Sequence, residues 1–458
     1  MEQLDGANDA RGLTRGPYLR AGRLPSTSAW LVLYVAILVG PLLAAAGIQP
    51  QTDHPFLQEI AKGLALVGYT ILAMQFVLAG RYKWLDRAFG LDLLFQFHRQ
   101  MGVCAGVFLL AHPVLYAVGG GEELFKFEQP WEISLGRVAL LVLCVLVVTS
   151  TARRALSIEF ETWRGVHNGL ALSVLGLGFG HSVAAGGDLG TWPMRALWTG
   201  VLGVAVFSYL RLKLMHPRLA RNAFEVVKVQ QETHDVCTLE LRPLGDGGGM
   251  QNLPGQFCFL TLHRDKGPVE EHPFTISSSA DDSGRMAVTI KASGDFTSTI
   301  PETAVGDRAI VSGPYGRFSY VLHPNEDKLV FIVGGVGLTP ALSMLRHMRA
   351  IKADVTVLLL YGNREERDII AREELAGLVA AGSCPVLEVV HILSGADESW
   401  TGSRGWIDGP LIQRHAEAYL GEAPFYLCGP PVMLTSVTKA LGGLGVPPSR
   451  IRFERFAL

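Results

Sequence analysis

The sequence lacks the spacings by which cysteines usually mark a site. Its six cysteines stand at 104, 144, 237, 258, 384 and 428, with no CxxC or CxxxxC among them. That pattern supports neither a disulfide framework nor an iron–sulfur cluster. Long runs of one charge are also missing. Forty Lys and Arg face 42 Asp and Glu, a net charge of −2, so nothing favours binding to nucleic acid. Long apolar runs stop near residue 215, and the rest reads as a soluble α/β protein. The 49% hydrophobic content is therefore concentrated in the first half, as a membrane domain would have it. Residues 1–29 are polar and mildly basic and are expected to be a disordered cytoplasmic N-terminus. The run after them is long for a signal h-region and is taken as a first span.

Six spans are expected at 30–48, 60–79, 93–117, 135–151, 165–185 and 192–212, each near the roughly 20 apolar residues a bilayer requires. The third carries His98 and His112, the fifth His167 and His181. Both pairs are 14 residues apart, about 21 Å along a helix and about 3.9 turns, so the two rings of a pair share a face. Ionisable groups inside a membrane are costly and usually functional. The two spans run in the same direction, which levels His98 with His167 and His112 with His181. Two bis-imidazole sites suit haem iron, which accepts axial histidine. Zinc and copper prefer three or four converging ligands. The expectation is two stacked b-type haems. Gly102, Gly106, Gly169, Gly176, Gly178 and Gly180 offer either flat surface for a porphyrin or close helix packing.

Loop charges set the orientation. Fourteen Lys and Arg, from Arg11 to Arg221, fall on the side of the N-terminus, and only Lys62, Lys126, Arg137 and Arg195 on the other. The positive-inside rule then makes the N-terminus and everything after the sixth span cytoplasmic.

From residue 222 to 322 short β-rich runs separated by Gly, Asp and Pro predict an antiparallel barrel. It contains His272-Pro273-Phe274-Thr275-Ile276-Ser277-Ser278, then Gly294 to Thr297. From 327 to 458 apolar strands alternate with helices, as in a doubly wound parallel sheet. The first strand ends in Gly334-Gly335-Val336-Gly337-Leu338-Thr339-Pro340 before an amphipathic helix. A strand, a glycine turn and a helix N-terminus can cradle a phosphate. The second strand leads to Arg364, a position from which a cation can receive the 2′-phosphate of NADP. The third ends in Cys428-Gly429-Pro430.

These motifs together resemble the NADPH oxidase and ferric reductase superfamily, over about residue 90 to the C-terminus. The resemblance implies a six-helix bis-haem membrane domain joined to a ferredoxin-NADP reductase-like module: membrane α plus α/β, with a flavin-binding antiparallel β-barrel. Phe274 is then similar to the aromatic stacked on the flavin, and Thr275 to the hydroxyl near its N5. His272, Pro273, Ser277, Ser278, Gly294 and Thr297 would surround FAD. Gly334, Gly335, Gly337, Thr339, Pro340, Cys428, Gly429 and Pro430 would frame the nicotinamide nucleotide. Phe456 would cover the flavin until nicotinamide displaces it, with Phe453 as the other candidate. Calcium-binding EF-hand segments of some members are absent. The implied activity is electron relay from NADPH through FAD and two haems. The acceptor stays open between O2 giving superoxide, Fe(III) or Cu(II) chelates, and a periplasmic partner protein. The implied location is the lipid bilayer, as in a bacterial inner (plasma) membrane.

Overall fold

The computed structural model describes residues 27–48, 55–121, 128–153, 155–219, 223–245, 249–282 and 284–454. These form two compact units, one within Arg23–His216 and one within Pro217–Leu458.

The first unit is helical: α1 (Thr27–Ile48), α2 (Phe56–Leu78), α3 (Lys83–Phe89), α4 (Leu91–Val118), α5 (Trp131–Thr151), α6 (Phe160–Ala185) and α7 (Trp192–Leu219). All but α3 contain a segment long and apolar enough to cross a membrane, and they cover the six expected spans. In hydrocarbon a chain must satisfy its backbone polar groups internally, which a helix does. Helix α1 runs unbroken through Pro41. The short helix α3 carries too few residues to give a periodic signal and is absent from the sequence reading.

Helix α2 is the buried one, with twelve covered residues, among them Tyr69, Ile71 and Leu72. Tyr69 stacks on Trp198 at 4.8 Å and donates to the Leu175 carbonyl at 3.0 Å. The histidine-bearing helices are far less covered by protein. Helix α4 buries Leu91, Leu94, Ala105 and Gly106, and α6 only Val174 and Leu175.

The second unit opens with strands β1 (Ala223–Thr233), β2 (Val236–Pro243), β3 (Phe257–His263), β4 (Glu271–Thr275), β5 (Met286–Lys291) and β6 (Arg308–Tyr315). They form one antiparallel sheet in the order β4-β3-β6-β1-β2-β5, and an Ile276–Val288 bridge links its two ends. Pro273 lies on edge strand β4, where a missing N–H costs no ladder bond. Val226, Leu239, Cys258, Leu260 and Val288 fill the barrel.

The nucleotide half follows. Strands β7 (Lys328–Gly334), β8 (Thr356–Asn363), β9 (Val386–Leu393), β10 (Ser403–Arg404), β11 (Phe425–Cys428) and β12 (Ile451–Glu454) run parallel in the order β10-β9-β8-β7-β11-β12. The order reverses at β7, so the carboxyl ends of β7 and β11 flank a topological switch point, where such sheets bind ligands. Helix α8 (Leu338–Ala350) follows β7 directly and buries Leu342, Leu345 and Met348 against the sheet.

Candidate functional site

In the helical unit the four histidines come together as two levels. The His98 and His167 ring centres are 6.3 Å apart. With metal–imidazole bonds of about 2.0–2.1 Å, two nitrogens across one ion stand about 4 Å apart, and ring centres 6.3 Å apart accommodate that. His112 and His181 stand fourteen residues further along the same two helices, at the other level.

The Nδ1 atoms are mostly spoken for. His112 Nδ1 lies 2.9 Å from the Ala61 carbonyl on α2, and His181 Nδ1 2.8 Å from the Glu132 carbonyl on α5. A carbonyl only accepts, so both rings carry their proton on Nδ1 and leave Nε2 as the metal-binding atom. His167 Nδ1 meets Ser150 Oγ at 3.0 Å. His98 Nδ1 is buried without a hydrogen-bond partner among the described residues. Gly102, Gly169 and Gly176 have open space where a Cβ would stand, whereas Gly106, Gly178 and Gly180 meet Val147, Tyr69 and Leu135. The first set leaves room for a flat macrocycle and the second serves helix packing. The donor set and this space fit a bis-histidine haem at each level.

In the barrel the expected flavin residues occupy β4 and the turn after it. Thr275 is buried and Phe274 half-buried against the barrel core. His272 stacks on Phe296 at 4.2 Å and holds Glu270 at 2.9 Å. The Ser277 hydroxyl points inward to Thr289 Oγ1 at 2.9 Å, while the Ser278 hydroxyl accepts from Ala287 N–H at 3.1 Å. Their backbones face the nucleotide half. Arg346 of α8 donates to the Ser277 carbonyl at 2.7 Å while a two-pronged bond to Glu374 orients it, and Ser343 donates to the Ser278 carbonyl at 2.8 Å. Thr297 Oγ1 accepts from the Ser293 and Gly294 N–H groups, at 2.9 and 3.0 Å, fixing the turn into the one-turn helix Asp295–Ser298.

The two glycine turns of the nucleotide half touch. A Cβ on Gly337 would collide with the Cys428 carbonyl, and one on Gly334 would stand 2.6 Å from Met433 Sδ and 3.2 Å from Pro430 Cδ. Gly335 takes φ +54°, the left-handed region that glycine occupies freely. Thr339 is buried and donates to the Val336 carbonyl at 3.0 Å, with Pro340 beside it in the first turn of α8. Cys428 is fully buried, and burial, with the Glu454 carboxylate adding to it, pushes its thiol well above the ordinary range. Arg364 lies beyond β8, its side chain 82% exposed and 3.9 Å from Glu365. Beside it is a cavity of about 500 Å³ lined by Glu365, Glu366, Arg367, Arg372, Asp397 and Trp400 among others. Arg367 and Arg372 are already paired with Glu365 and Glu366, at 2.9 and 2.5 Å. Tyr361 is core: it is wholly buried and accepts from the Ile370 N–H. Phe453 is on β12 and 40% exposed, and Phe456 lies outside the described residues.

The sequence reading missed Ser150, Gly136, Phe296 and Arg346. None carries a local signal, because each acts on a side chain or carbonyl of another element.

Comparison with known proteins agrees with this division. Residues 64–178 match the ferric reductase like transmembrane component, 223–320 the oxidoreductase FAD-binding domain, and 331–439 the oxidoreductase NAD-binding domain. NADH--cytochrome b5 reductase 1 of Arabidopsis thaliana is 30% identical over 230 residues, covering 49% of this chain and 80% of that protein. NADH-cytochrome b5 reductase 1 of Mortierella alpina is 35% identical over 176 residues, 38% of this chain and 58% of that one. The chain spans 58% to 64% of the length of the first such relatives. A flavohemoglobin from Malassezia yamatoensis is alike in fold, with TM-score 0.50 and 20% identity, covering 88% of this chain and 96% of that one. With an apolar six-helix component joined to FAD- and NAD-binding oxidoreductase domains, the chain belongs to the NADPH oxidase and ferric reductase superfamily.

Proposed function

We propose that this chain is a transmembrane flavocytochrome b that takes electrons from cytoplasmic NADPH and delivers them, by way of FAD and two b haems, to O2 on the outer side. The observation that carries the proposal is the pair of histidine levels, with the Nδ1 atoms of His112, His167 and His181 hydrogen-bonded so that Nε2 is left for a metal. When bound, FAD accepts hydride from the nicotinamide and the haems accept electrons singly, so the cofactors carry the redox chemistry.

The chain's own residues would do the rest. His98 with His167 would hold one haem, and His112 with His181 the other. Phe274 and the edge of β4 would support the flavin, with Thr275 placing a hydroxyl near its reacting nitrogen. His272, Pro273, Ser277, Ser278, Gly294 and Thr297 would bound its phosphates. The contact of the Gly334–Gly337 turn with Cys428-Gly429-Pro430 supports a nucleotide site there, with Thr339 and Pro340 starting the helix whose N-terminus favours anionic phosphate. Arg364 is the most available cation beside the cavity, and it would read the 2′-phosphate. Phe456 would give way before nicotinamide.

Several relatives bear names of reductases that serve another protein, such as the glycine betaine monooxygenase reductase subunit of Pseudomonas aeruginosa. That favours, as the second reading, an electron-transfer subunit with a protein acceptor. Purified chain with NADPH, assayed with and without oxygen, tests the proposal. Superoxide forming faster than chelate reduction supports the oxidase. Fe(III) or Cu(II) chelate reduction as the faster reaction makes it a metalloreductase. Haem reduction without turnover makes it a subunit feeding a partner.

A further inference from the structure

We propose that Ser150 is a positioning residue that sets the reduction potential of the haem held by His98 and His167, by offering His167 a hydroxyl where His181 has a carbonyl. The inference rests on the two-haem reading above.

The two levels are built on one plan. On α5, His181 Nδ1 bonds the Glu132 carbonyl at 2.8 Å. Fourteen residues on, the equivalent carbonyl for His167 is that of Leu146. His167 does not use it. Ser150 Oγ donates to the Leu146 carbonyl at 2.6 Å and stands 3.0 Å from His167 Nδ1. With its proton committed to Leu146, the serine oxygen can only accept from the Nδ1–H.

What separates the levels is the residue four positions after each carbonyl. At Glu132 it is Gly136, where a Cβ would stand 2.8 Å from both Cε1 and Nδ1 of His181. The His181 ring therefore reaches its carbonyl because Gly136 has no side chain. At Leu146 the same place holds Ser150, whose Cβ keeps the ring off the carbonyl and whose oxygen takes the bond.

The acceptor matters electronically. A stronger acceptor on Nδ1–H makes the imidazole a more basic ligand, which favours the oxidised metal. An amide carbonyl, negative by resonance, accepts more strongly than a neutral hydroxyl. The His167 site is thus held at a higher potential than a carbonyl partner would give it.

Three variants of the full chain separate this role from a packing role. Ser150→Gly opens the Leu146 carbonyl to His167, and the potential of the His98/His167 haem should fall. Ser150→Ala keeps the Cβ and removes the oxygen, and the same potential should rise. Ser150→Thr keeps the hydroxyl and should leave it unchanged. The expected size is about fivefold in the one-electron equilibrium, the scale of one hydrogen bond, or ~40 mV at 59 mV per decade. Potentiometric titration reads it, with the relevant haem identified as the one lost in His167→Ala. Shifts of one sign in the glycine and alanine variants, no shift in either, or haem loss in both would overturn the proposal. Parent protein without haem by pyridine haemochrome would instead overturn the two-haem reading and this inference with it. Gly136→Ser supplies the converse check and should raise the potential of the other haem.

Discussion

The contact between the two glycine turns can be tested by substituting Gly335 and Gly337, which need glycine for different reasons. Gly337 has φ −60° and ψ −6°, a conformation any residue adopts, so its requirement is purely one of space. A Cβ there would strike the Cys428 carbonyl oxygen, 2.7 Å from its carbon and 2.9 Å from Gly429 Cα. All of these are backbone atoms, so the β11 turn must move. Overpacking of this kind costs about 1–3 kcal/mol, offset by about 0.4–1 kcal/mol from a stiffer unfolded chain. A net loss of about 1–2 kcal/mol in a unit of this size lowers Tm by about 2–8 °C. Gly335, at φ +54°, has open space around its missing Cβ. Alanine there costs about 1–2 kcal/mol through the left-handed backbone alone, and asparagine, which tolerates that region, recovers much of it. At position 337 the order reverses, because asparagine adds bulk to a clash. Thermal unfolding of the reductase unit, followed by flavin fluorescence, reads the stabilities, and KM for the nucleotide reads the turn. Asparagine better than alanine at 335 and worse at 337, with KM raised at 337, is expected. A neutral Gly337→Ala, or the same order at both positions, refutes the argument.

Arg364→Ala should raise KM for NADPH several-fold and leave that for NADH nearly unchanged, because only the 2′-phosphate offers the guanidinium an anion; an equal effect on both would show that Arg364 does not discriminate. Cys428 should resist iodoacetamide in the folded protein at pH 8. Its raised thiol value means stability is fully present below the unfolded thiol pKa, about 8.5, and is lost as pH rises above it. Cys428→Ala should remove that alkaline loss, as thermal melts from pH 7 to 10 would show. Phe456→Ser should strengthen a flavin–nicotinamide charge-transfer band in stopped-flow absorbance; if only Phe453→Ser does so, Phe453 is the cover.

The spans, the histidine levels and the glycine turns were legible because each rests on a period or a local backbone need. Fourteen residues return a side chain to the same helix face, so His98 and His112 declare a shared surface before any fold is known. A strand ending in glycines before a helix is equally local. Ser150, Gly136 and Arg346 were not legible, because their roles depend on which helix or strand lies opposite. Ser150 looks like any apolar-helix serine bonding back four residues until α6 brings His167 to it. Arg346 is an ordinary basic residue of an amphipathic helix until the Ser277 carbonyl is placed beside it.

The central claim is two bis-histidine haems per chain, and haem stoichiometry tests it most directly. Pyridine haemochrome of the purified protein, divided by protein mass, should give a ratio near two with low-spin spectra. His98→Ala or His167→Ala should remove one haem and leave the other, and His112→Ala or His181→Ala should remove the other one. A ratio near one, a high-spin spectrum from every haem, or loss of the same haem from both levels would contradict the account.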